Sequence, residues 1–183
     1  MLPEVLRAAG ISRYFLIGHS DGASISLIFA ANPSSARDGL LGLCLEAPHV
    51  FVEDVTVQSI AAIGKSYHDG TLRQRLARHQ GTNVDTAFLG WNRVWLDPRF
   101  RDWNIAKSLN AIDVPVQVLH GCNDEYGTLA QVAAIEKGVS GPFQKLLMEQ
   151  SGHSPHLNQP EAVLAEMAQF ISHYSAGLTG APT

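Results

Sequence analysis

The stretch that most constrains this chain is Arg13 to Ala31, RYFLIGHSDGASISLIFAA. Tyr14 to Ile17 is a short apolar run closed by a glycine, which reads as a buried strand. Gly18-His19-Ser20-Asp21-Gly22 follows. Ala23 to Ala31 is small, apolar and helix-compatible, and Asn32-Pro33 stops it. Strand, sharp turn and helix in succession, with a serine at the tip of the turn, make this Gly-x-Ser-x-Gly run a nucleophile elbow. Small residues two before and two after the serine let strand and helix approach closely. The serine then sits in a strained backbone conformation with its hydroxyl presented outward. The backbone N–H of Asp21 falls at the helix N-terminus, where unpaired donors and the helix dipole favour a developing oxyanion. Five residues of this pattern also occur in ordinary turns; the flanking strand and helix select the elbow.

The 183 residues suit one domain with a real core, and 45% apolar with 16% charged residues is the balance of a globular chain. A net charge of −4 without a basic run gives no footprint for nucleic acid. No stretch approaches the roughly 20 apolar residues of a membrane span. The opening MLPEVLRAAG lacks the basic region and apolar block of a signal peptide. Cys44 and Cys122 are far apart, in or beside strand-like runs, and read as buried free thiols rather than a disulfide or metal pair. Together these features favour a cytoplasmic protein.

Pro3 to Ala9 reads as a helix stopped by Gly10. After the elbow, Leu40 to Glu46 is almost continuously apolar, as in a parallel strand buried on both faces. The helix to Ala31 and the loop Asn32 to Gly39 complete a right-handed βαβ unit. From Ala47 to about Asp113 the texture changes. This stretch holds seven of the fourteen aromatics and every tryptophan, with Phe88, Trp91 and Trp95 at helical spacing. It reads as a mostly helical cap insertion over the sheet, its aromatics largely packing its own core. Arg73, Arg75 and Arg78 read as a solvated helix face. Val114 to Gly121 is a third buried strand, with Pro115 tolerated at its start. Asn123 to Gly127 is an acidic loop, Thr128 to Lys137 a helix, and Phe143 to Met148 a fourth strand leading to Gly152-His153. Glu161 to Tyr174 is a closing amphipathic helix with Val163, Leu164, Met167, Phe170 and Ile171 on one face. Ser175 to Thr183 is a small, polar, frayed tail. The expectation is one α/β domain: a parallel sheet flanked by helices, with core 1–46 and 114–174, cap insertion 47–113, and tail 175–183.

A serine hydroxyl has too high a pKa to attack a carbonyl unaided. It needs a base within hydrogen-bond reach and a third group to orient that base. Loops at the C-terminal ends of parallel strands share one edge of the sheet. Ser20, Asp124 and His153 each follow such a strand, in the order serine, aspartate, histidine. On GHSDG at Gly18 to Gly22, VPVQVLHGCNDEYG at Val114 to Gly127 and SGHSPHLNQPE at Ser151 to Glu161, the chain resembles the α/β-hydrolase superfamily. It looks like the carboxyl-terminal two-thirds of such an enzyme, cap included. The resemblance implies Ser20 as nucleophile, His153 as general base, Asp124 as the acid orienting it, and the Asp21 N–H in the oxyanion hole. It implies hydrolysis of an ester or similar acyl compound through an acyl-serine intermediate, with a small-molecule acyl substrate and no metal or organic cofactor. Carbon–carbon bond hydrolysis of a dienoic ketone uses the same triad and fold and remains an alternative. An acidic residue in place of Ser20 would have suggested a dehalogenase or epoxide hydrolase, and Asp21 lies one place too late for that.

Each partner has a rival. His156, three residues after His153, is the other candidate base, and the two also have metal-ligand spacing without a supporting thiol or carboxylate cluster. Glu46 is the alternative acid, because some members of the superfamily place it after that strand. His19 reads as packing or hydrogen-bonding locally, and Glu125 as pointing away. The superfamily carries further strands before the elbow, which supply a second oxyanion donor. No His-Gly motif precedes Ser20 here. Either the sequence is N-terminally truncated, or a partner, such as a second copy in a homodimer, covers the edge of the Tyr14 to Ile17 strand. A third expectation is a non-catalytic domain that keeps the shape without the rate.

Overall fold

The structure, a computed structural model, describes residues 2–32 and 37–176. Four strands form one wholly parallel sheet whose spatial order is their chain order: β1 (Tyr14–His19), β2 (Leu40–Glu46), β3 (Val116–Gly121) and β4 (Phe143–Met148). β2 and β3 lie at the centre. Their runs LLGLCLE and VQVLHG are buried almost throughout, as continuous apolar strands covered on both faces should be. The register is level at the C-terminal ends: His19 pairs with Glu46, Glu46 with Leu119, and Gly121 with Met148. The loops leaving all four strands therefore open on a single edge. β1 is an outer strand among the described residues, and Ile17 on it is 61% exposed.

Packing divides the chain into two compact units, one running to Val50 and resuming at Ile105, the other Phe51–Asn104. In the first, α1 (Leu2–Ala8) precedes β1, and Gly10 at φ 67° turns the chain after it. α2 (Asp21–Ala31) buries Ala23, Leu27 and Ala30 completely but leaves Ile25 61% exposed. Residues 106–111 form a short 3-10 helix, followed after β3 by α6 (Leu129–Gly138). The single turn α7 (Pro155–Asn158) leads into α8 (Pro160–Ala176). Residues 47–50 and 105–113, expected in the insertion, pack with this sheet-bearing unit. Of the expected tail, Ser175 and Ala176 still belong to α8; residues 177–183 and Pro33 lie outside the described residues.

α8 closes the core by setting Val163, Met167 and Phe170 against Cys44, Leu119 and Met148. Phe170 is 2% exposed and meets Phe15 edge-on at 6.2 Å between ring centroids. Phe170→Ala is expected to lower unfolding free energy by about 3–5 kcal/mol, the usual cost of emptying a buried aromatic site. Urea unfolding followed by tryptophan fluorescence measures it, and a loss under about 1 kcal/mol would mean that α8 does not seal this core. Both cysteines are free. Burial pushes the Cys44 thiol up to about 12, whereas Cys122 is only half-buried, against the expectation for it.

The second unit is helical: α3 (Asp54–Asp69), α4 (Leu72–Gln80) and α5 (Val84–Leu96), with 3-10 turns at Gly81–Asn83 and Pro98–Phe100. Its aromatics pack one another. Tyr67 stacks on Phe88 at 3.8 Å, and Trp95, Phe100 and Trp103 form a second cluster. Arg73 is not simply solvated. Its guanidinium grips Asp85 in two bonds of 2.8 and 2.5 Å, and the Tyr67 hydroxyl donates to the same carboxylate at 2.7 Å. The Arg73 bonds, then that of Tyr67, hold the Asp85 carboxyl down at about 2.

Candidate active site

The chain passes from β1 to α2 in one residue. Ser20 adopts φ 54° and ψ −121°, a left-handed conformation that costs a non-glycine residue about 1–3 kcal/mol. Its neighbours hold it there. The Ser20 N–H donates to the Glu46 carbonyl at 2.9 Å, and its own carbonyl accepts from Ala23 and Ser24 N–H at 3.0 and 3.1 Å. Gly18 explains the closeness of strand and helix: a Cβ there would stand 2.5 Å from the Gly22 carbonyl oxygen. Asp21 is the first residue of α2, so its N–H belongs to the positive end of that helix.

Asp124 sits in the loop after β3, with its side chain 1% exposed. Its Oδ1 accepts the N–H of Tyr126 at 2.7 Å and of Gly127 at 3.2 Å, which folds the loop back on the carboxylate. Burial alone would raise this carboxyl. The hydrogen bond and charge of His153, the Tyr126 N–H and the nearby His120 outweigh burial and hold it below the ordinary carboxylate value. His153 comes from the loop after β4. That loop is pressed against the end of β3, where a Cβ on Gly121 would stand 2.2 Å from the Gly152 carbonyl oxygen. Ser151 Oγ, together with Gly152 N–H at 3.1 Å, bonds Asn158 Oδ1 in α7.

These loops bring Ser20, His153 and Asp124 into one hydrogen-bonded chain. His153 Nδ1 lies 2.9 Å from both carboxylate oxygens of Asp124, and its Nε2 lies 2.9 Å from Ser20 Oγ. A carboxylate only accepts, so Nδ1 carries the proton. In the neutral ring Nε2 is then a lone-pair acceptor aimed at the serine hydroxyl. Such an arrangement can take a proton from Ser20 while the charge formed on the ring is stabilised by Asp124.

The rivals go elsewhere. His156 does not make the Ser20 contact; its N–H and Nδ1 bond Glu46 Oε2 at 3.1 and 3.0 Å. Glu46 is thus taken up by His156 rather than by His153. Two expectations need correction. Glu125 does not point away, for its Oε2 accepts the His153 N–H at 3.2 Å. Nor does His19 bond locally: its Nε2 reaches the His153 carbonyl, 134 residues away, at 2.8 Å. His49 and Tyr126, which no motif singled out, place their rings 5.6 and 4.7 Å from that of His153. Among the described residues no group of three or more His, Cys, Asp or Glu is arranged to hold a metal ion.

Known proteins agree on the fold. Residues 2–166 match the sequence model of the Alpha/beta hydrolase family. A curated relative, 2-succinyl-6-hydroxy-2,4-cyclohexadiene-1-carboxylate synthase of Klebsiella pneumoniae subsp. pneumoniae, is 24% identical over 94% of this chain and 73% of its own length. Among solved structures, the esterase RhEst1 of Rhodococcus sp. ECU1013 superposes with a TM-score of 0.65 at 20% identity, over 92% of this chain and 68% of that one. The proline iminopeptidase of Mycobacterium smegmatis gives 0.65 at 18%, over 94% and 69%.

Proposed function

The chain belongs to the alpha/beta hydrolase family, and we propose that it hydrolyses a carboxylic ester or similar acyl compound through an acyl-serine intermediate. The observation that carries this reading is the pair of 2.9 Å contacts of His153, Nε2 on Ser20 Oγ and Nδ1 on Asp124. His153 Nε2 takes the hydroxyl proton as Ser20 Oγ attacks the acyl carbon. The carbonyl oxygen becomes an oxyanion, which the Asp21 N–H and the α2 dipole stabilise; one such donor is worth roughly 2.7–4 kcal/mol. Collapse expels the alcohol, which takes the proton back from Nε2. Water then attacks the acyl-serine with His153 again as base, releasing the acid and restoring Ser20. Asp124 keeps the proton on Nδ1 and stabilises the imidazolium without becoming protonated.

The test is labelling of the purified chain with a fluorescent fluorophosphonate, beside turnover of short p-nitrophenyl esters. Saturable labelling that maps to Ser20 and disappears on heating is the expected result. A folded chain whose Ser20 never labels would overturn the reading. A second chemistry, hydrolysis of a carbon–carbon bond in a dienoic ketone, would use the same three residues. Release of an acid from a dienoic ketone, with no p-nitrophenol from the esters, would select it.

A further inference from the structure

The geometry points to His19 as a positioning residue, whose Nε2–H holds the peptide carbonyl of His153 and so aims that imidazole at Ser20. The inference rests on the reading of Ser20 and His153 given above. A backbone carbonyl can only accept, so the 2.8 Å contact requires the proton on Nε2 of His19. Burial, the largest influence on this ring, lowers its pKa, which favours the neutral form. The ring is well placed to act as a fixed post. His19 ends β1 and pairs in register with Glu46 of β2. Its ring lies 5.1 Å from that of His153 and 5.0 Å, edge-on, from that of His156. His156 is anchored in turn on the buried Glu46 carboxylate.

The target is a loop that lacks ladder bonds of its own at this point. The His153 imidazole swings from a Cα whose amide is held by Glu125 and whose carbonyl is held by His19. Asp124 restrains the ring through Nδ1, the nitrogen next to its point of attachment. Releasing the carbonyl leaves the Cα free to shift by part of an ångström, and misplacement of about 1 Å can cost a hundredfold in rate. A histidine that merely satisfied a loop carbonyl would act differently: its loss would lower stability without changing the reactivity of the molecules that remain folded.

The experiment compares fluorophosphonate labelling rates at Ser20, per folded molecule, in the parent chain, His19→Leu and His19→Gln. Leucine keeps the bulk and removes the donor, while the glutamine amide nitrogen can occupy the place of Nε2. The expected result is labelling slowed about tenfold or more in His19→Leu and restored to within about threefold of the parent in His19→Gln. Equal rates in the parent and His19→Leu would overturn the inference while leaving the serine reading intact. Equal slowing in both variants would also overturn it, by assigning the effect to ring packing. Absence of labelling in the folded parent would remove the serine reading, and the inference with it. Should the leucine variant fail to fold, nitrogen-15 NMR of the parent still decides. His19 must show the Nε2–H tautomer, and an Nδ1–H tautomer would refute the bond.

Discussion

Ser20→Ala is expected to lower ester hydrolysis by about a million-fold in kcat and to abolish fluorophosphonate labelling, with little change in thermal stability. The size follows from the way the three groups act as a unit. Without Oγ there is no atom to form the acyl intermediate, and the lone pair of His153 Nε2, now 2.9 Å from nothing nucleophilic, has no proton to take. What survives is substrate binding and the Asp21 N–H, which together leave roughly 10³–10⁴-fold acceleration over water. The fold should tolerate the change because the side chain of Ser20 carries no cap of α2; the bonds that shape the elbow run through its backbone. The strained φ of 54° is as available to alanine as to serine. Steady-state kinetics and a melting curve on the same preparation make the comparison. Turnover by Ser20→Ala comparable with the parent would remove Ser20 from the chemistry.

Why was the sharing of one sheet edge by Ser20, Asp124 and His153 legible in the sequence when the contacts around them were not? Each of the three lies in the segment that follows a strand, Ser20 at once, Asp124 and His153 within a few residues, and in a parallel sheet that places them on one edge. The strands β2 and β4 have the bounds expected for them because nothing interrupts the ladder. β3 begins at Val116 rather than Val114. Pro115 has no N–H to give and contributes only its carbonyl, which accepts from Leu43 at 2.9 Å. β1 extends past Ile17 to His19 because Gly18 and His19 still find partners in Leu45 and Glu46. α2 starts at Asp21 because the Ser20 carbonyl already accepts its first bonds.

The supports have no such signature. α7 is one turn initiated by Pro155, too short to show a period. The bonds from His19 and Glu125 to the His153 peptide join segments 134 and 28 residues apart. Such pairings exist only once the register brings strand ends level, and no local spacing encodes them. The same holds for Glu46 and His156, 110 residues apart. From sequence each was a candidate for the reaction; in space they satisfy one another.

That last pairing sets up the second large effect, Asp124→Asn, which is expected to lower kcat by about ten-thousandfold, or roughly 5.4 kcal/mol of transition-state stabilisation. The loop should survive, since the asparagine carbonyl can still accept the Tyr126 N–H that Asp124 takes at 2.7 Å. The chemistry should not. An amide turned toward His153 either donates to Nδ1, which moves the ring proton to Nε2 and destroys the acceptor for Ser20, or loses the negative charge that stabilises the imidazolium. Glu46→Gln is expected to cost far less, because that carboxylate serves His156. A loss in Glu46→Gln as large as in Asp124→Asn would transfer the role of acid to Glu46. The pH dependence of stability gives an independent check with a definite sign. The Asp124 carboxyl is held below its ordinary value in the folded chain, so it stabilises the fold above the unfolded carboxylate pKa of about 3.9. That contribution fades as the pH falls through the lowered folded value. In Asp124→Asn it should vanish, leaving a shallower loss of stability on the acid side than in the parent. An acid-side slope identical in the two proteins would show that the carboxylate is not held by His153 and its neighbours.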